Sequence, residues 1–505
     1  MKRQRGSGRV TPAAMAALAA MCVVAALPTQ ALAAGEPHPY VFDSEAKTVK
    51  GAAVNSDGPA LMAGSAYRDS IKPGEKRYYR VDLDARTNAY ISAVAVPGLK
   101  TKVASPDKVS VSIEDRSGTK CGSGDAQFGS AAYARPIAAY ADRMIDKDSS
   151  SCQEAGAYYV LIERDGDAAS APEPWDVEIR FATEPGLKAA GATAAPENWP
   201  SASPPPPAGS PRKRAGGTSF SDATGLTEGE WQDEILPGRT RFYRVPLDWG
   251  QQIFASADLG TSPTASDTTQ SVSSALSVSL HNPARGLVDE TASVYYDGKQ
   301  KSVALDPVPP VAYENRFDST DSTNAMRFAG WYYLAVTLSP EVGAEYGSTA
   351  LSLTLRVNVT GQAKAAPPYD GAAGDFQVTE DDQAAADSGK SGSGEDGGDP
   401  LQLVAAVLIG TGTVLLLGLA VWLLLKRRRA SGAPAGPSAG APAVPGQGPA
   451  TLPDQGHVPG GHAQGGQVPG QASGGQVPGG HGQGGQVPGQ APGAQQGQFG
   501  PPPSW

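Results

Sequence analysis

Tyr67 to Asp84 reads YRDSIKPGEKRYYRVDLD, and Trp231 to Asp248 reads WQDEILPGRTRFYRVPLD. Ten of these 18 positions are identical without a gap, and the similarity continues in the same order along both halves. VSVSI (109–113) matches LSVSL (276–280), Tyr140-x-x-Arg143 matches Tyr313-x-x-Arg316, AGAYYV (155–160) matches AGWYYL (329–334), and VEIRF (177–181) matches LTLRV (353–357). Matches in one shared order mark a tandem duplication.

Each shared block is short, β-branched or aromatic, and alternating, with Pro-Gly and other turn residues between blocks; this is the pattern of strands. After Pro73-Gly74, Tyr79, Val81 and Leu83 point to one face and Tyr78, Arg80 and Asp82 to the other, because side chains alternate along a strand. The second copy keeps the inward set as Tyr243, Val245 and Leu247. Pro246, on the outward set, favours an edge or a bulge, since proline has no N–H to give to a ladder. About eight strands in roughly 120 to 145 residues predict an all-β chain of two tandem sandwiches or jelly rolls. The repeats are placed at 40–185 and 218–361.

The order of blocks is an aromatic strand after a Pro-Gly turn, a VSVSI-type strand ending in polar residues, an AG-aromatic-Tyr strand and a final alternating strand. It resembles the bacterial pre-peptidase C-terminal domain. The resemblance implies a jelly-roll module found beside secreted enzymes and associated with binding or secretion rather than catalysis. The family's acidic DxDL-like strand is absent: Ser112-Ile113-Glu114-Asp115 only loosely approaches it, and Ser279-Leu280-His281-Asn282 does not.

The chain ends set the compartment. A basic start (Lys2, Arg3, Arg5, Arg9), an apolar stretch from Ala13 to Leu27 and Ala31-Leu32-Ala33 form a secretory signal over 1–33. Cys22 is no lipidation site, because Met21 stands where a lipobox needs a small residue. Residues 401–425 carry no charge, and as a helix they are long enough to cross ~30 Å of hydrocarbon. Lys426-Arg427-Arg428-Arg429 follow and hold that side in the cytoplasm. The expectation is a single-pass cell-membrane protein with its repeats outside and its tail, 426–505, inside. Between Ala34 and Pro400 there are 33 basic and 50 acidic residues, a net charge of about −17. Such a surface repels nucleic acid, anionic headgroups and anionic wall polymers.

Cleavage of the signal leaves two cysteines, Cys121 and Cys152, in an exported chain, and they are expected to pair. A metal site, the alternative, lacks histidine nearby, since the mature ectodomain has only His38 and His281. Residues 186–217, within a stretch from Pro185 that includes Pro204 to Pro207, read as a semi-extended spacer. Arg212-Lys213-Arg214 within it is a solubilising cluster or a processing site, the former favoured. Residues 362–400 are rich in acids, Gly, Ser and Ala and read as a disordered stalk. The tail repeats V-P-G at Val458, Val468, Val477 and Val487 and reads as disordered; Pro501-Pro502-Pro503-Ser504-Trp505 reads as a polyproline dock for a cytoplasmic partner.

No catalytic constellation stands out. There is no G-x-S-x-G or H-E-x-x-H motif, no cofactor fingerprint, and no metal-ligand spacing. Glu163, Asp165 and Asp167 resemble a fragment of a calcium loop, but an ordinary polar hairpin explains them. Asp69/Asp233 and Asp84/Asp248 recur in both copies and read as turn-forming aspartates. The function expected is therefore non-catalytic: a binding or accessory protein for another exported or membrane protein. Its contact site is expected where the copies diverge, at Tyr295, Tyr296, Tyr313 and Phe317, although Tyr313 also matches Tyr140 and is a candidate for the core. The competing reading is a cell-wall or carbohydrate receptor that stacks sugars on Trp175, Trp231, Trp249 and Trp331, with core packing as the alternative use of those rings.

Overall fold

The computed structural model describes residues 40–189, 191–265, 270–291 and 294–392. The expected signal peptide, the 401–425 segment and the tail lie outside them. Among the described residues no helix is long and apolar enough to cross a membrane.

The first repeat contains β1 (Ser65–Ile71), β2 (Lys76–Leu83), β3 (Asn88–Val96), β4 (Lys108–Glu114), β5 (Lys120–Gln127), β6 (Ile137–Arg143), β7 (Gly156–Asp165) and β8 (Trp175–Glu184). The second contains β9 (Gly229–Ile235), β10 (Thr240–Leu247), β11 (Gln252–Leu259), β12 (Leu276–His281), β13 (Leu287–Thr291), β14 (Lys301–Ala304), β15 (Gly330–Leu338) and β16 (Leu351–Thr360). Each repeat is a two-sheet antiparallel sandwich. One sheet runs β1-β8-β3-β6 and the other β2-β7-β4-β5; the second repeat repeats both orders as β9-β16-β11-β14 and β10-β15-β12-β13.

The alternation read from sequence sets the cores. Tyr79, Val81 and Leu83 are buried in the first sandwich and Tyr243, Val245 and Leu247 in the second. Pro246 lies on β10, at the edge of its sheet, where the outer side is met by the short Thr224–Gly225 strand opposite Tyr243 and Arg244 and by Gly217 opposite Phe242. On the flank of the first repeat, β5 passes so close to β6 that a Cβ at Gly122 or Gly124 would run into the carbonyl oxygens of Asp142 and Tyr140. These two glycines let the sheets approach backbone to backbone. Cys121 on β5 is joined to Cys152 by a disulfide.

Three expectations are corrected. First, the Tyr-x-x-Arg match is not a structural equivalence. Tyr140 and Arg143 lie on β6, whereas Tyr313 and Arg316 lie in a 3₁₀ turn, Tyr313–Phe317, followed by a short helix, α1 (Asp321–Ala325); a second helix, α2 (Pro340–Tyr346), follows β15. The strand that replaces β6 in the second repeat is β14, which pairs with β11 as β6 pairs with β3.

Second, the segment assigned to a disordered stalk packs as far as Gly392. Tyr369 and Phe376 are buried, and α3 (Glu380–Ser388) docks on the second repeat. Averaged over its 39 residues the composition is that of a disordered chain, but two aromatic anchors and local pairing are enough to order the part up to Gly392. Asp370 pairs with Arg86, Asp375 with Arg180, and Thr379 and Asp382 form a capping box.

Third, the Pro-rich spacer is pinned at several points. Leu187 bridges to Tyr369, Pro200 accepts from the Gln252 amide, and Arg212–Lys213 pair as a short strand with β9. Arg212 and Arg214 stack over Trp231, and Arg214 donates to the Asp387 and Ser388 carbonyls at the end of α3. A cation belongs there because the helix C-terminus is the negative end of its dipole.

Candidate functional site between the repeats

The two sandwiches meet face to face through sheets that are not equivalent. The outer side of β1-β8-β3-β6 in the first packs on the outer side of β10-β15-β12-β13 in the second. Val94, Val96 and Ala138 meet Phe220, Phe242 and Ala335 in one apolar cluster, and Tyr90 and Ala182 meet Ala284, Phe328 and Phe376 in another. All nine residues of β3 are consequently buried. A strand covered on both faces loses its polar alternation, which is how NAYISAVAV reads.

Three arginines from the divergent segment of the second repeat enter this joint. Arg285 pairs with Glu178 on β8, and also donates to Ser221. Its backbone is left-handed, φ 64°, a strained state for a long side chain that the surrounding turn imposes. Arg316 places two nitrogens on Glu184, which also accepts from Asn88, Tyr90 and Tyr369. Burial alone would raise the Glu184 carboxyl, but the Arg316 charge and these donors hold it below its usual value. Arg327 donates to Asp142 and to the Tyr140 hydroxyl, both 2.6 Å away.

Sequence reasoning missed these residues, yet a signal existed. Glu178 and Glu184 stand in VEIRF and just beyond it where the second copy has Thr354 and Thr360, and Val94 stands where it has Asp258. Divergence between the copies thus marks the surface each uses against the other.

The joint leaves a cleft of about 240 Å³ at one end of the shared face. Its floor is polar: Thr240 and Thr337 bond each other at 2.9 Å, Ser277 donates to Glu290 at 3.1 Å, and Ser279 lies 3.1 Å from His281 Nε2. Because His281 Nδ1 faces the Arg285 carbonyl, that nitrogen carries the proton and Nε2 accepts from Ser279. Burial, against the Arg285 carbonyl bond and with the Arg285 charge, pushes the imidazole down to about 4. The ring is neutral at pH 7.

Ser279 beside a neutral histidine is the pairing from which a nucleophile is made. An oxyanion would also need donors aimed at it. Around Ser279 the β12 backbone pairs with β13 and β15, and Glu290 stands opposite on β13.

The expected contact residues are dispersed. Tyr296 is buried, bonded to the Gly260 carbonyl and packed on Tyr346, so it belongs to the core. Tyr313 is half-buried beneath the Arg316 guanidinium, 3.4 Å away, and serves the joint. Tyr295 and Phe317 are 54% and 47% exposed. The tryptophan platforms of the carbohydrate reading are occupied. Trp175, Trp231 and Trp249 are buried; Arg164 lies over Trp175, and Arg244 covers the half-buried Trp331, whose indole N–H donates to Asp382. Glu163 and Asp165 pair with Lys76 and Lys108, as a polar hairpin does.

No family model matches the chain, and no curated protein matches it. Among solved structures, that of Broad Bean Stain Virus aligns at 8% identity over 67% of this chain and 98% of that one, with a TM-score of 0.18. The CUB1-EGF-CUB2 domain of human MASP-1/3 aligns at 6% identity over 58% and 99%, TM-score 0.14. The M60 catalytic domain with CBM51-1 and CBM51-2 of Clostridium perfringens ZmpB aligns at 12% over 58% and 34%, TM-score 0.16. At such scores none of them bears on fold or function.

Proposed function

We propose that this chain is an exported, single-pass membrane protein that binds another exported or membrane protein and performs no catalysis. The signal-like N-terminus, the uncharged 401–425 stretch and its basic flank support that topology. The strand orders 1-8-3-6 and 2-7-4-5 are those of an eight-strand jelly roll and support kinship of each repeat with the pre-peptidase C-terminal module.

The observation that carries the binding reading is the exposure of Tyr295 and Phe317. They project from the segment that otherwise clamps the repeats, and large exposed aromatics on a rigid support are the residues that anchor interfaces. The docked 362–392 segment leaves eight residues, 393–400, before the uncharged stretch. At most about 28 Å of extended chain then separates the body from its anchor, which suits a partner in or near the same membrane.

The experiment replaces Tyr295 and Phe317 in turn with a photocrosslinking amino acid in the full-length protein and irradiates native membranes. One recurrent protein adduct is expected at both positions. Absence of any protein adduct, or adducts confined to glycan, overturns the reading.

A further inference from the structure

The cleft between the repeats has a one-sided chemistry. Asp125 enters it from the first repeat and Glu290 from the second. Among the described residues the Asp125 carboxylate has no hydrogen-bond or ion-pair partner, and the Glu290 carboxylate has the Ser277 hydroxyl alone. Arg135, the guanidinium on the wall, is buried and committed to carbonyls: Nη1 to Ala131 and Nη2 to Phe128. His281 adds no charge, since one ring nitrogen holds the Arg285 carbonyl and the other the Ser279 hydroxyl. Carboxylates and hydroxyl oxygens therefore outnumber the donors left to meet them.

The walls are apolar where they narrow. Pro136, Ile137 and Ala138 line one side, and Leu287, 47% exposed, stands at the other. Phe220 and Phe242 also border the space, but Phe220 packs at a tilt against Phe242 and edge-to-face against His281, and neither phenyl ring is more than 3% exposed. A sugar would find no open aromatic face here, and an anion would meet two carboxylates. A cationic head on an aliphatic stem fits both parts, its methylenes against Ile137, Ala138 and Leu287 and its N–H groups on the acids and hydroxyls.

We propose that this cleft is the receptor for a lysine or arginine side chain presented by the partner protein, an inference that rests on the protein-binding reading. The incoming cation bridges Asp125 and Glu290, one from each repeat, so binding also favours the docked arrangement of the two sandwiches.

The test uses full-length protein in detergent micelles with arginine amide as probe, followed by saturation-transfer NMR. Transfer to the side-chain methylene protons is expected. In Asp125→Asn/Glu290→Gln it should fall with an affinity loss of about tenfold or more, since charge-assisted bonds are removed. Both acids are exposed, so the double variant should keep the wild-type melting temperature, and a Lys147→Gln variant, remote from the cleft, should bind as the wild type does. Equal transfer in the double variant, or transfer to N-acetylglucosamine or acetate in place of arginine amide, overturns the proposal. The partner reading is judged separately. Crosslinked partner captured equally by the double variant sinks the cleft and leaves the partner, whereas acid-dependent arginine binding with no protein adduct sinks the partner and leaves a cation site.

Discussion

Arg316 of the second repeat meets Glu184 of the first in a two-pronged pair, Nη2 to Oε1 at 2.7 Å and Nη1 to Oε2 at 3.0 Å, with neither side chain more than 3% exposed. Removing one partner of a buried pair leaves an uncompensated charge, which costs about 3 to 5 kcal/mol. Arg316→Met should therefore destabilise the joint by that order and split thermal unfolding, read by calorimetry, into two transitions. Arg316→Met with Glu184→Gln removes both charges and should recover much of the loss. A single transition at the wild-type temperature in Arg316→Met would show that the clamp contributes little.

What the sequence disclosed, and what it hid, follows from how many faces of each strand are buried. β2 has one face in a core, so YRVDL alternates and its inward residues are legible; β10 keeps the same inward set although its outward Phe242 and Pro246 are buried in turn. β3 is covered on both faces, and no period remains in it to read. The joint was hidden for a different reason: Glu178 and Arg285 are 107 residues apart, and only the fold brings them together. The aspartates misled because their spacing suits a turn. Asp84 does cap one, accepting from the Arg86 and Thr87 amides, but Asp69 and Asp233 lie within β1 and β9.

Those two aspartates hold a duplicated contact. Asp69 accepts from the Tyr79 hydroxyl at 2.7 Å and from the Gly51 amide; Asp233 accepts from Tyr243 at 2.6 Å and from the Gly216 amide. A Cβ at either glycine would sit 2.7 or 2.6 Å from the tyrosine ring. A hydrogen bond to a charged group contributes about 1.5 to 3 kcal/mol, so Tyr79→Phe and Tyr243→Phe should each lower stability by that order in denaturant unfolding. Gly51→Ala should displace the tyrosine and cost at least as much. Two neutral Tyr→Phe variants would assign the motif to geometry alone.

The disulfide provides an internal comparison, since the second repeat has no cysteine and still forms the same two sheets. The bridge spans 31 residues, and closing a loop of that size contributes about 3 to 4 kcal/mol in the chain-entropy model. Cys121→Ser with Cys152→Ser should lower stability by that order while the β-sheet circular dichroism of the folded protein is kept. Loss of folding altogether would mean that the bridge does more than close a loop.

His281 sets a pH dependence whose sign can be worked out. Buried among Phe220, Ser279 and the Arg285 carbonyl, its imidazole is pushed down to about 4, from about 6.5 when unfolded. Between these values the unfolded chain binds a proton that the folded chain refuses, so stability rises with pH there. The contribution is whole above about pH 6.5 and is lost as pH falls toward 4, by up to roughly 3 kcal/mol. Glu184, also held low, acts in the same direction but only below the ordinary glutamate range. Chemical denaturation of wild type and His281→Gln at pH 7, 6 and 5 separates the two groups, because glutamine cannot take up the proton. The wild type should lose stability more steeply over this window than the variant, and the curves should run parallel above pH 7. Equal slopes between pH 7 and 5 would show that His281 titrates normally and that the joint admits water around the ring.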